Sequence, residues 1–588
     1  DGDTATGFRL AIEPEFLPEP VDTDNFDFTP YERLDGYSPA TQVMVLWDSP
    51  ADLSDAALVD DIGRSLEDDS PTVIVDLADG SWIPHWVEND YRAQYDDETV
   101  LYIRLAGILE EDHAYAVALR DLADDDGQPF ESSDAFAALR DGVPTDADEI
   151  EDRRAGFEEM FTILADAGVE RGSLQLAWRF HTASGETIRR DMLHIRADAL
   201  DRLGPDGIGC TVTSTEDGYG GDGKTYRRVR GTYTVPLYMD STEPPTRFVR
   251  GGDDLPAYQG DHEIEFTVIL PQTLVDGGAH PGPLVTFGHG LLGNGEGTIS
   301  SGDVRDIAYR GEVILLATDW DGMSSEDVPT VGLALADPNL FPSVTERLQQ
   351  GMVNQIALTR TFAGVCSDLP EFQAEGVDLI DTSRLFYTGV SQGGIFGGTL
   401  TTISPDIDRG VLLVNGAVFP VMMERSIDYA PYYPLFEFAW QSRLDQAILL
   451  PLAQHLWDAS EPSGYLQHAT SGLPGIGPKE VLSLSVVNDS QVPNVSTNQA
   501  MRMAGVPVIE GSALEPWGFP VETAPYSGSA LIYVDMGDRD VPEGNVFPET
   551  NDNGHSNVGK TDIALQIIQP FLETGVVQMP CDGICDPD

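Results

Sequence analysis

The chain is predicted to be an α/β protein with an all-β sandwich ahead of its main domain. Three observations carry this: evenly spaced alternating runs between residues 30 and 135, helical periodicity after them, and short, nearly continuous apolar runs from about residue 225 onward. At 588 residues the chain exceeds what one ordinary core holds, so more than one packed unit is expected. Residues 1–29 are acidic, contain proline and are only weakly periodic, as a tether would be. In 30–135, "TQVMVLW", "PTVIVDLA", "TVLYIRLA" and "HAYAVAL" alternate and are separated by turn signals such as "ADDDG", the pattern of short sandwich strands. Residues 136–224 read as a helical connector, carried by "RRAGFEEMFTILADAGV", followed by a Gly- and Asp-rich linker. In 225–588, "YRRVRGTYTVPLYM" and "EIEFTVILP" read as antiparallel strands. "PLVTFGHG", "EVILLATDW", "RLFYTGV", "GVLLVNG", "VLSLSVVND" and "SALIYVDMG" then read as parallel strands buried on both faces, joined by right-handed crossovers.

Charge excludes some functions. The 99 Asp and Glu against 33 Lys and Arg give a net charge of -66, and the only lysines are Lys224, Lys479 and Lys560. So acidic a surface repels nucleic acid and anionic lipid, and it points to a salt-adapted source. No apolar run reaches the roughly 18 residues that would span a bilayer. Of four cysteines, Cys581 and Cys585 sit in "CDGIC", a spacing suited to a small disulfide that pins the tail, and no His lies near to complete a zinc site. The pairing of Cys210 and Cys366 is left open, as is the oligomeric state. The start "DGDTATG", without Met, is read as what remains after a targeting peptide is removed, so export is expected. The stretch "LEEDHAYAVALRDLADDDGQPF" resembles the final hairpin of bacterial immunoglobulin-like modules.

The chemistry is sought first in "GVSQGG", residues 389–394. Ser391 lies between a predicted strand ending at Val390 and a predicted helix. A serine on a sharp strand-to-helix turn needs flanking positions with almost no side chain, and Gly389 and Gly393 supply them. The pentapeptide alone is a weak signal; strand before and helix after strengthen it. With this context the chain resembles the α/β-hydrolase superfamily over roughly residues 225 to 575, its "GVSQGG" being similar to the elbow of cutinases and carboxylesterases. The loop "HGLLG", after the strand "PLVTF", resembles the His-Gly loop of bacterial lipases. The resemblance implies a nucleophile at Ser391 and oxyanion donors at the backbone N–H groups of Leu291 and Gln392, with His289 supporting its loop. A phosphate loop is the poorer reading, since no Lys-Ser or Lys-Thr follows.

The superfamily order of serine, acid, histidine leaves His455, His468 and His555, and only His555 follows the last predicted strand and precedes a final helix. For the acid, Asp489 follows the penultimate strand, while Asp540 stands in a similar Asp-Val-Pro setting after the last one; Asp489 is preferred, with Asp540 and then Asp538 as alternatives. An aromatic-rich insertion, about residues 416–480, is expected to cap the serine, with Tyr432, Phe436 and Trp440 as pocket candidates beside Trp320. The expected activity is carboxylic-ester hydrolysis through an acyl-enzyme, on a small-molecule or polymeric ester, without metal or organic cofactor. A peptidase or amidase on the same scaffold, or a non-catalytic surface-binding protein, are the alternatives.

Overall fold

The computed structural model describes residues 4–18, 21 and 25–587. Its centre is an eleven-stranded mixed sheet with strand order Val521–Glu522, Val508–Ile509, Ala530–Val534, Glu480–Val486, Arg409–Leu413, Ile380–Val390, Gly282–Gly288, Ile314–Ala317, Gly260–Pro271, Thr225–Leu237 and Cys210–Asp217. The first eight are parallel, and the last three form an antiparallel edge. Both faces are covered, which is why the parallel strands read as unbroken apolar runs. Alternate residues serve opposite faces: Leu412, Val481 and Leu531 enter one core, and Val411, Leu482 and Ile532 enter the other.

On the first face lie helices Phe341–Ala363 and Gln392–Ile403, the latter buried at every residue. On the second, helix Asp562–Thr574 buries Ala564, Ile567, Ile568 and Phe571, a stripe of helical spacing. Its start is capped by Thr561 Oγ1, which accepts from Ala564 N, and its end by Gly575 at φ 71°. The strand order reverses at Gly282–Gly288, with Ile314–Ala317 on one side and Ile380–Val390 on the other, and such a switch point opens a crevice at the carboxyl ends of the strands.

The N-terminal region departs from the sequence expectation in three places. Two three-stranded antiparallel sheets, ordered Val43–Leu46, Val100–Leu105, His85–Asn89 and Thr72–Asp76, Ala114–Arg120, Leu174–His181, share one core that includes Val45, Val87, Ile103, Ile74, Val117 and Leu119. The strand Leu174–His181 comes from the segment expected to be a connector, and helix Asp148–Asp166 packs Met160, Phe161 and Leu164 on Val73, Val75 and Ala116 of that sheet. The expected boundary at 135 is therefore corrected, because a two-stranded sheet could not close the core. Likewise Cys210–Asp217, read as linker, is the edge strand of the main sheet. Finally, the expected tether is packed: Leu10, Leu17, Val21 and Phe26 are buried against Phe436, Trp440, Leu449 and Leu450 of the insertion. Cys581–Cys585 and Cys210–Cys366 are both disulfides, with Cα atoms 5.1 and 5.6 Å apart.

Candidate active site

Ser391 joins strand Ile380–Val390 to helix Gln392–Ile403 at φ 58°, ψ -125°, a conformation that L-residues avoid and that must be held from outside. Its N–H donates to Leu413 O at 3.0 Å, and Tyr387 Oη donates to Gly393 O at 2.5 Å across the turn. The two glycines are required by space: a Cβ on Gly389 would overlap the Gly393 carbonyl, and one on Gly393 would overlap the Gly288 carbonyl. The helix end brings a set of free N–H groups and the positive end of its dipole to the serine.

Strand Gly282–Gly288 runs parallel to the elbow strand with Gly288 opposite Gly389, so the loop after it lies beside the serine. A Cβ on Gly290 would stand 3.8 Å from Ser391 Cβ. This loop is fixed on several sides. Gln392 Nε2 donates to Met323 O at 2.8 Å while its Oε1 accepts from Leu292 N at 3.3 Å, and Ser325 N donates to Gly293 O at 2.8 Å. His289, fully buried, holds the loop from within: Nδ1 donates to Gly290 O at 2.9 Å, leaving Nε2 to accept from Trp320 N at 2.9 Å. Burial drives its pKa below the ordinary histidine value, so it stays neutral. Among the described residues, neither the Leu291 nor the Gln392 backbone N–H is engaged as a donor.

Asp489 and His555 are brought together. The Asp489 loop follows strand Glu480–Val486, and the His555 turn follows the adjacent strand Ala530–Val534. His555 Nδ1 donates to Asp489 Oδ2 at 2.7 Å, and the carboxylate's other oxygen accepts from Gln491 N at 2.9 Å and Val492 N at 3.0 Å. A carboxylate can only accept, so the imidazole proton sits on Nδ1 and Nε2 carries the lone pair. That Nε2 is buried without a hydrogen-bond partner. No hydrogen bond joins it to Ser391, a loose arrangement common before substrate binds. His555 and Val390, the residue before the serine, line one crevice together with Leu413. Burial opposes the charged form of His555, but the Asp489 carboxylate outweighs it, helped by Asp428 and Asp538, and its pKa is raised above the usual value. Asp540, the alternative acid, is exposed and takes a hydrogen bond from Asn488 Nδ2 at 3.1 Å; Asp538 accepts from Gly554 N at 3.0 Å and so anchors the His555 turn.

Above the Leu291–Leu292 segment lies an apolar cavity of about 140 Å³, lined by Met323, Phe419, Met422, Trp457 and by the expected Tyr432, Phe436 and Trp440. Trp320 is a correction. It is wholly buried in the core, edge-on to Phe396 with ring centres 5.7 Å apart, because its strand end turns inward beneath the loop rather than toward the opening. Of the cavity residues that escaped the sequence reading, two bear on the site. Tyr31 arrives from the N-terminal segment, and Asp428 brings a half-buried carboxylate whose field reaches His555 and Asp489. Asp428 is one of several acidic residues in the insertion, so nothing local marked either of them.

No protein-family model and no curated protein matches the sequence. Among solved structures, the chain is similar to an acetyl xylan esterase from Paenibacillus sp. R4 (14% identity, TM-score 0.33, 58% of this chain and 88% of that one). It is also similar to acetyl xylan esterase 1 from Thermoanaerobacterium sp. JW/SL YS485 (14%, 0.32, 60% and 92%). A third likeness is to the acylaminoacyl peptidase of Pyrococcus horikoshii (13%, 0.28, 64% and 58%). At such identity and TM-score these likenesses carry no argument; the geometry of the site does.

Proposed function

We propose that the protein is a serine carboxylic-ester hydrolase of the α/β-hydrolase type. The observation that carries the reading is the strained Ser391 beside Gly290, past the same carboxyl ends of the sheet strands as a buried His555–Asp489 pair whose Nε2 lone pair is uncommitted. In this reading Ser391 Oγ attacks the ester carbonyl carbon and its proton passes to His555 Nε2. The carbonyl oxygen, now anionic, is held by the N–H groups of Leu291 and Gln392. Collapse expels the alcohol, which takes the proton from the imidazolium. Water, deprotonated by the same nitrogen, then releases the acid and restores the serine.

Asp489 fixes the imidazole tautomer and stabilises its charged form. The apolar cavity supports an ester with a hydrocarbon acyl part over a peptide, whose polar amides would find few partners there. The two disulfides support an oxidising, extracytoplasmic setting. The test is turnover of p-nitrophenyl esters of increasing chain length beside peptide anilides. Ester turnover that is abolished in Ser391→Ala is expected, and exclusive anilide turnover would overturn the ester reading.

A further inference from the structure

The two N-terminal sheets meet the insertion and the His555 loop through a buried cluster of charged side chains. Along strands His85–Asn89 and Val100–Leu105, Val87 and Ile103 point into the sandwich, so Glu88 and Arg104 point the other way. On an isolated sandwich they would face water; here Arg104 is wholly buried and Glu88 nearly so. Arg104 donates to Glu88 Oε1 at 2.5 Å and to Glu424 Oε2 at 3.0 Å, and Arg425 donates to Glu88. Arg443 donates to Asp90 Oδ2 at 2.6 Å and to Glu424 Oε1 at 2.5 Å. Glu88, Asp90 and Glu424 thus balance Arg104, Arg425 and Arg443. Glu424 is held down to about 2, its burial outweighed by Arg443, Arg104 and Arg425.

Among the uncharged side chains that join the cluster, with Gln42 on Arg104 and Gln446 on Arg443, one comes from a third region of the chain. Asn545, fully buried, lies on the loop between the last strand of the sheet and His555. Its Nδ2 donates to Asp90 Oδ1 at 2.8 Å and to Glu424 Oε1 at 3.1 Å, and its Oδ1 accepts from Tyr91 N at 2.9 Å. Arg92 completes the tie. Its Nε donates to Asn545 O at 2.5 Å and its Nη2 to Glu424 O at 2.7 Å, and its guanidinium lies 3.8 Å from the ring centre of Phe547 and 4.6 Å from that of Tyr433. A single amide therefore joins the sandwich, the insertion at Glu424, next to the cavity residue Met423, and the loop that carries His555.

We propose that Asn545 is a positioning residue for His555, and that through it the N-terminal sandwich is an integral part of the hydrolytic site. The inference rests on the ester-hydrolase reading for its kinetic consequence and on hydrogen-bond geometry alone for the coupling. Oriented donors and acceptors specify the loop path where apolar packing would leave it free to slide, and a misplacement of about 1 Å at a base is enough to slow the reaction.

The test is Asn545→Ala in the full chain, with p-nitrophenyl butyrate kinetics and amide hydrogen exchange across residues 546–556. A kcat lowered at least about tenfold with KM within about threefold is expected, because the base and not the acyl cavity is displaced. Exchange in 546–556 is expected to quicken. Asn545→Asp, nearly isosteric, is expected to be worse than alanine, since it replaces the donor with a third carboxylate beside Asp90 and Glu424. If the alanine variant does not fold, Arg92→Lys, which loses the ring stack and the planar fork, is expected to give the same pattern in weaker form. A folded variant with kcat within about twofold of the parent and unchanged exchange overturns the proposal. If the parent itself turns over no ester, the functional reading fails, and the exchange measurement still decides whether Asn545 holds the loop.

Discussion

Two buried histidines belong to the loops around Ser391, and their surroundings give them opposite properties. His289 is fastened at both nitrogens to backbone groups, at 2.9 Å each, and burial lowers its pKa. His555 is fastened at one nitrogen only, to Asp489 at 2.7 Å, and its pKa is raised. The backbone partners stabilise a neutral ring that never needs to move a proton. The carboxylate stabilises a ring that can become charged and leaves the second nitrogen open. Proximity to the serine does not decide which histidine is the base; an uncommitted lone pair backed by a carboxylate does.

The largest effects should separate the two loops by kinetics. His555→Gln is expected to lose about 10⁶-fold in kcat, and Asp489→Asn, whose amide permits the wrong tautomer, about 10⁴-fold. His289→Asn, by contrast, is expected to lower activity by loosening the Leu291 loop, with the pH profile keeping its shape. Steady-state ester kinetics across pH would check all three. A pH profile that changes in His289→Asn and not in Asp489→Asn would reverse the assignment.

The pH dependence sharpens the contrast. In the proposed mechanism His555 must be neutral, so kcat/KM should fall as pH drops through a value above about 6.5, the ordinary histidine pKa. Asp428 favours the charged imidazole, so Asp428→Asn should move this acid limb to lower pH while leaving the plateau largely intact.

The smallest effect is on stability, and its sign differs between the two rings. His555, with a raised folded pKa, contributes stability that is complete below about 6.5 and is lost as pH rises through its folded value. His289, with a lowered one, contributes stability that is present above about 6.5 and is lost as pH falls through its folded value. Thermal unfolding of His555→Gln and His289→Asn against pH should therefore deviate from the parent at opposite ends of the range.

What could be read in the sequence follows the range of the interactions. Gly389 and Gly393 are demanded by backbone within a few residues or by the neighbouring strand, so the turn around Ser391 left a compact pattern. Asp489 and His555, which the structure joins, each sit just after an apolar strand run. The N-terminal segment gave no such pattern, because Leu10, Leu17 and Phe26 are spaced irregularly among prolines and find their partners more than 400 residues away at Phe436 and Leu449. Nothing in the strand pattern marks Arg104 and Glu88 as buried, since alternation reports which face a side chain occupies and not what covers that face. Trp320 misled for a related reason: a position at a strand's carboxyl end says which edge is near but not whether the ring turns toward the opening.

The central claim is that Ser391 is a nucleophile made reactive by its turn and by His555. Its most direct measurement is the site of covalent attachment of a fluorophosphonate probe, read by intact mass and peptide mapping. One equivalent on the peptide bearing Ser391, absent in Ser391→Ala and greatly slowed in His555→Gln, is the result the account predicts. An unlabelled native protein, or a label on another residue, would contradict it.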